Sequence, residues 1–184
     1  MHTQELWQEF DQSGEPLENG GRNPRLGNPD LGEPVYTSVA IIWLYRKVSG
    51  GIEVLFQKRS PKVDRFAGKW DIAAGGHINY GESVLDAAVR EAREEIGAII
   101  EKAHLELAVI TPSMTANNIL REFIYDYTNG PDDFHFDDEE VSEVKWVKMS
   151  DFDQFLDQYA KAPLRDDAEI RSIIKNRIMS HGNH

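Results

Sequence analysis

Residues 76–98 read GHINYGESVLDAAVREAREEIGA. At about 100° per residue, Leu85, Ala88, Val89, Ala92 and Ile96 fall in one apolar stripe. That stripe predicts an amphipathic helix lying on a core. Gly97 ends it as a C-terminal glycine does, and Glu82 or Ser83 stands near its start, where the backbone dipole favours negative charge. The same segment carries Glu91, Glu94 and Glu95. Like charges three and four apart destabilise a helix by roughly 0.2–0.5 kcal/mol per pair, and a divalent cation between them would reverse that effect. Arg90, four residues before Glu94, can pair with it and offset part of the repulsion. Glu91 and Glu95 lie beside the stripe, with Glu94 further round the same flank, so packing holds them within reach of a cleft. The small Ala87 and Ala88 let another loop approach that flank closely.

The bland alternative is an amphipathic helix with a solvated acidic side, because the chain has 32 Asp and Glu. The whole constellation argues against it. Gly76, Glu82, Arg90, Glu91, Glu94, Glu95 and Gly97 occupy seven spaced positions; at about 6% per residue type, their coincidence is expected on the order of once per million chains of this length. The window resembles the Nudix box: Gly, five residues, Glu, seven residues, Arg-Glu, an aliphatic, any residue, Glu-Glu, any residue, Gly, an aliphatic. Ala92 and Ala98 depart from the larger aliphatics the family prefers, which touches local packing rather than chemistry. A weaker resemblance covers roughly residues 35–160, and GKWDIAAGGHINYGES is similar to the branch that also contains isopentenyl diphosphate isomerases.

A chain of 184 residues and 20.9 kDa fits one domain with a full core. No run approaches the ~18 apolar residues that span a bilayer, and the polar, acidic MHTQELWQEFDQSGEP is not expected to act as a signal peptide. With no cysteine, disulfides, thiolate metal sites and thiol catalysis are excluded, and a cytoplasmic location is the expectation. A net charge of −12 argues against nucleic-acid binding. It leaves room for a phosphorylated substrate, because a bound Mg²⁺ inverts the local sign. The terminal SHGNH, with His181 and His184, is too short to read as a metal tract.

Along the chain, ELWQEFDQSGEPLENG predicts a small hairpin around Gln-Ser-Gly, followed by a Gly-, Pro- and Asn-rich linker, GRNPRLGNPDLGEP. YTSVAIIWLYRK and IEVLFQKRS predict strands joined at SGG, and KWDIAAGG predicts one short strand delivering Gly75 and Gly76 to the helix. LELAVITPSM, NILREFIYDYT and VSEVKWVKM predict three more. SDFDQFLDQYA is expected to be a helix capped by Ser150, and RDDAEIRSIIKNRIM a terminal amphipathic helix. Mixed strands interrupted by one central helix, with helices added late, indicate an α/β sandwich. The resemblance implies the same Nudix-type α/β/α sandwich with a mixed β-sheet. The expected organisation is a hairpin and linker over residues 1–33 packed on a Nudix domain over 34–184.

By resemblance, Glu91 and Glu95 are metal ligands together with the Gly76 carbonyl. Glu94 is either a ligand or the carboxylate that takes a proton from water, and Glu82 and Arg90 hold the loop and helix together. Mg²⁺, with Mn²⁺ as substitute, prefers carboxylates, waters and phosphate oxygens, and would neutralise a diphosphate and acidify a water. The expected activity is Mg²⁺-dependent hydrolysis of the P–O–P linkage in a nucleoside diphosphate derivative or related diphosphate. Outside the box, Glu122 is a candidate further ligand or base, its bland reading being an exposed strand carboxylate. Lys58 and Arg59 are candidate phosphate binders, against a reading as solvated charges. His77 is read as packing rather than as a metal or phosphate contact, and Trp70, Phe66 and Trp146 as core rather than base-stacking. The acidic run Asp132, Asp133, Asp137, Asp138, Glu139 and Glu140 is read as solvated loop, with Glu140 and Glu143 candidates to approach the metal.

Two other functions compete. Isopentenyl diphosphate isomerase uses a cysteine just before the position of Gly76-His77, where this chain has Gly75. A non-catalytic Nudix-like module that binds a metabolite commonly lacks signature carboxylates, which are complete here, and is joined to a DNA-binding segment not visible here. The candidate substrates are ADP-ribose, dinucleoside polyphosphates, damaged nucleotides, coenzymes and prenyl diphosphates. A homodimer through the N-terminal segment is the assembly expectation.

Overall fold

The structure is a computed structural model that describes residues 6–22, 35–113, 117–136, 139–159 and 167–182. All but the first two residues of the expected linker, Asp137 and Asp138 of the acidic run, and the last two residues, including His184, lie outside them. The long strand β3 (Tyr36–Val48) organises everything else. Its run VAIIWLY has no polar alternation, as expected of a strand covered on both faces. Along one edge it pairs in parallel with β8 (Asn118–Asp126), from Thr37 opposite Asn118 to Tyr45 opposite Asp126. Along the other edge come three antiparallel neighbours: β1 (Trp7–Phe10) at Tyr36–Thr37, β6 (Ala74–His77) at Val39–Ile42, and β4 (Gly51–Arg59) at Tyr45–Val48.

The remaining strands extend this frame. β2 (Pro16–Arg22) pairs with β1, β5 (Trp70–Ile72) and β9 (Val141–Lys148) with β4, and β7 (Glu106–Ser113) with β8. KWDIAAGG is therefore two short strands rather than one, the chain crossing at Ala73 from a partnership with β4 to one with β3.

Side chains of β3 alternate between two apolar layers. Ala40, Ile42 and Leu44 pack with Ala87, Ala88, Ala92 and Ile96 of helix α1 (Val84–Ile96). Ile41, Trp43 and Tyr45 pack with Phe152, Phe155 and Leu156 of α2 (Phe152–Tyr159) and with Ile174 and Ile178 of α3 (Ala168–Gly182). The result is the α/β/α sandwich with a mixed sheet. Ser150 does not cap α2. Strand β9 runs straight into a 3-10 turn over Met149–Asp151, which places Ser150 within the turn, where its hydroxyl donates to Asp151 Oδ1 at 3.0 Å. Among the described residues, no helix is long and apolar enough to cross a membrane.

The expected N-terminal hairpin forms, turning over residues 12–14 with Gly14 at φ +87°, and it is stitched to the loop before α1. Gln8 N–H donates to Ile78 O at 2.8 Å, Tyr80 N–H to Leu6 O at 2.8 Å, and Gly81 N–H to Gln8 Oε1 at 3.1 Å.

Candidate active site

Helix α1 begins at Ser83, whose hydroxyl accepts from Asp86 N–H at 3.2 Å, and ends at Gly97 in the left-handed conformation (φ +69°). Both are ordinary local devices for satisfying helix termini. Between them, Arg90 joins the loop to the helix. Its Nε and Nη2 grip the two Glu82 oxygens at 2.9 and 3.0 Å, and Nη2 also donates to His77 O at 3.0 Å. Nη1 donates to Glu91 Oε1 at 2.7 Å and to Glu94 Oε2 at 3.0 Å. Burial opposes the Arg90 charge, but Glu82, Glu91 and Glu94 outweigh it and hold its pKa above the usual value. Glu82 Oε2 also accepts Asn79 N–H at 3.0 Å, closing the loop on itself.

The three helix carboxylates have distinct surroundings. Glu94 is half exposed. Glu91 lies over Gly76, where any Cβ would collide with its carboxylate. Glu95 is only 4% exposed, deeper than a position beside the stripe implied. Its Oε2 accepts Gln57 Nε2 at 2.6 Å and, at the long distance of 3.4 Å, Gly75 N–H. Burial pushes the Glu91 pKa up to about 7, with Arg90 opposing and Glu94 and Glu82 adding to the rise. Burial, then the Glu91 charge, raises Glu95 well above the usual carboxylate range, with Asp71 and Glu140 contributing. These groups line a cleft of about 1100 Å³, with Arg59, Arg93 and Glu140 on its rim.

Strand alternation decides which other candidates reach the cleft. On β4, Gln57 and Arg59 face α1, whereas Lys58 points to the opposite side, 3.5 Å from Glu143 and 5.9 Å from the Trp70 ring centre. Arg59 lines the cleft, donating from Nε to Arg65 O at 3.1 Å and lying 3.8 Å from Glu140. Lys58 and Glu143 are therefore not cleft residues, and Glu140 is. Glu122 is neither in the cleft nor exposed. It shares the β8 face of Leu120 and Ile124, against α2 and α3, and accepts Trp43 Nε1–H at 2.7 Å.

Among the aromatic candidates, Trp70 packs edge-on against Phe155, Trp146 stacks with Tyr127, and Phe66 is exposed rather than core. The aromatic pair at the cleft is one that the sequence reading missed. Trp7 of the hairpin lies flat on His77, with ring centres 3.4 Å apart and planes 4° from parallel. Burial lowers the His77 pKa to about 4, so the imidazole is neutral. Gln57, Arg93 and His135 were also missed. Arg93 could have been found from its place on α1, one position before Glu94; the other two depend on tertiary packing.

Among the described residues, no three acidic or imidazole side chains converge as a finished metal cage. Mg²⁺ does not require one, since it usually takes one or two carboxylates and keeps several waters. Two observations fit a cation: the adjacent carboxyls of part-buried Glu91 and buried Glu95, and the buried Gln57 Oε1, which has no hydrogen-bond partner among the described residues.

A mixed sheet between helices, with an acidic helix flank over a glycine strand, defines an α/β/α protein with an acidic cleft. Residues 35–168 match the NUDIX domain, and the chain belongs to the Nudix hydrolase family, whose members are pyrophosphohydrolases acting on phosphorus anhydrides. Nudix hydrolase 3 of Arabidopsis thaliana is 29% identical over 131 residues, covering 66% of this chain but only 17% of that protein. An isopentenyl-diphosphate Delta-isomerase of Aliivibrio fischeri is 31% identical over 121 residues, 62% of this chain and 67% of the other. The crystal structure of DR0079 from Deinococcus radiodurans shares the fold at a TM-score of 0.65 and 20% identity, covering 92% of this chain and 99% of that one.

Proposed function

We propose that this protein hydrolyses the P–O–P linkage of a nucleoside diphosphate derivative or a related organic diphosphate, with Mg²⁺ as cofactor. The observation that carries the reading is the Glu91–Glu95 pair: two carboxyls, 13% and 4% exposed, one turn apart beside Gly76 at the floor of a cleft. Burying two adjacent carboxylates is unfavourable without a compensating charge. Nudix hydrolases generally use divalent metals. When bound here, the cation neutralises substrate phosphate and acidifies a water.

The side chains then divide the work. Glu91, Glu95 and the Gly76 carbonyl are the proposed ligands. Glu94, held by Arg90 and half exposed, can swing into the cleft as a further ligand or accept the proton of the attacking water. Arg90 fixes Glu82 and the loop carbonyl of His77, so that Gly76 and Glu91 keep their relation. Arg59 and Arg93 face the cleft with charge available for phosphate oxygens; Arg93 has no ion-pair partner among the described residues. Isomerase chemistry like that of the named relative lacks its cysteine here.

Incubation with a panel of diphosphate compounds tests the reading. Phosphate or nucleotide release should require Mg²⁺ or Mn²⁺, stop with EDTA and return with excess metal. Turnover indifferent to chelator would refute a metal-dependent site. Tight metabolite binding without turnover of any compound would instead make the domain a binding module.

A further inference from the structure

The Gln57 carboxamide is 2% exposed, and its two ends have opposite fates. Nε2 donates to Glu95 Oε2 at 2.6 Å, while Oε1 has no hydrogen-bond partner among the described residues. With Glu95 ionised, as a cation ligand must be, the orientation is fixed, because a flipped amide would set oxygen against carboxylate oxygen. Buried side-chain oxygens are seldom left unpaired in folded proteins, and an exception calls for an explanation. The cross-strand neighbours of Gln57 do not offer one: Val144 on β9 is apolar, and Asp71 on β5 carries a carboxylate, which accepts hydrogen bonds. Among the described residues no donor reaches Oε1, and a bound water is a donor of the right kind.

Glu95 tells where that donor sits. Its Oε2 faces Gln57 and Gly75, so its Oε1 is the oxygen free for a cation. Mg²⁺ and Mn²⁺ bound to carboxylates retain coordinated waters, which are strong donors. We propose that Gln57 is a positioning residue of the cation site: Nε2 orients the Glu95 carboxylate, and Oε1 accepts a hydrogen bond from a water carried by the ion. This rests on the metal-dependent reading above. It adds a residue outside the helix signature whose two polar ends tie the ligand and the ion's hydration shell to strand β4.

The test compares Gln57→Met, similar in length and without amide atoms, with wild type in two measurements. One is Mn²⁺ affinity, by calorimetry and by the EPR signal of bound Mn²⁺. The other is the melting temperature in EDTA. Groups that orient metal ligands typically change affinity by about 10–100-fold when removed. Gln57→Met should therefore bind Mn²⁺ at least tenfold more weakly while melting in EDTA within a few degrees of wild type. Unchanged Mn²⁺ affinity in the variant overturns the proposal, as does weaker affinity that only accompanies a collapse of the metal-free fold. If wild type itself does not bind Mn²⁺, the metal-dependent function fails first. If wild type binds and Gln57→Met binds equally, only the role of Gln57 fails.

Discussion

Glu95 and Glu122 are each 4% exposed, and they lie on opposite faces of the same sheet. Glu122 is surrounded by the apolar layer under α2 and α3, where Trp43 Nε1–H satisfies it at 2.7 Å. Glu95 has Glu91, Asp71 and Glu140 close enough to raise its pKa, and a cleft opens beside it. Equal burial thus hides two different roles. One carboxylate pins a tryptophan in a core; the other crowds negative charge where a cation can enter. The distinction comes from neighbouring charges and from the sheet face, not from exposure.

The comparison breaks if activity does not separate the two. Glu95→Gln and Glu94→Gln should each lower kcat/KM by roughly 10²–10³-fold, the scale of losing one transition-state charge contact, while the metal-free protein stays folded. Near-wild-type turnover in both variants would remove the proposed site. Glu122→Leu should show the reverse: kcat/KM within about threefold, and a loss of about 1–3 kcal/mol in urea unfolding, because the Trp43 N–H is left buried and unpaired. A large catalytic defect in a fully folded Glu122→Leu would mean the far face takes part in chemistry.

A smaller contrast lies within one strand. Arg59→Ala should raise KM about tenfold, as expected for one lost charge-assisted phosphate contact, and Lys58→Ala should leave steady-state kinetics near wild type. Equal effects from both would show that the β4 alternation does not govern access to the cleft.

The smallest expected effect is in pH dependence. Burial holds the Glu91 pKa at about 7 rather than 4.5, and burial likewise raises that of Glu95 well above 4.5. The native state thus holds protons that the unfolded chain has released, and stability falls as pH rises from 4.5 through those values. His77 has the opposite sign: its pKa drops from 6.5 to about 4, so its contribution grows as pH rises across that interval. Up to about pH 6.5 His77 cancels the slope of one of the two carboxyls, and above it both act unopposed. The EDTA-treated protein should melt at lower temperature at pH 8 than at pH 6.5, and Mn²⁺ should shrink the difference. A flat metal-free profile would show that Glu91 and Glu95 are not a strained pair.

Helix α1 was legible in the sequence because its information is local. Apolar residues at a 3.6 period, a hydroxyl before the first turn and a glycine after the last lie within one window. The facing of Lys58 and Glu122 was not legible. Val54, Leu55 and Phe56 before Lys58 are all buried, as are the residues of ILREFIY around Glu122. A strand covered on both faces shows no alternation from which to read parity. Glu122 was also misjudged because its partner, Trp43, is 79 positions away. The place of Trp7 depends on a hairpin docking against residues 78–81, which no local pattern encodes.

That docking leaves the molecule with a built-in optical probe. Of the four tryptophans, Trp43, Trp70 and Trp146 sit in packed layers away from the cleft, and only Trp7 lines it, face to face with an imidazole. Indole emission responds to the polarity and ring contacts around it. Compounds that enter the cleft can therefore be ranked by intrinsic fluorescence, without a label and before any bond is cut.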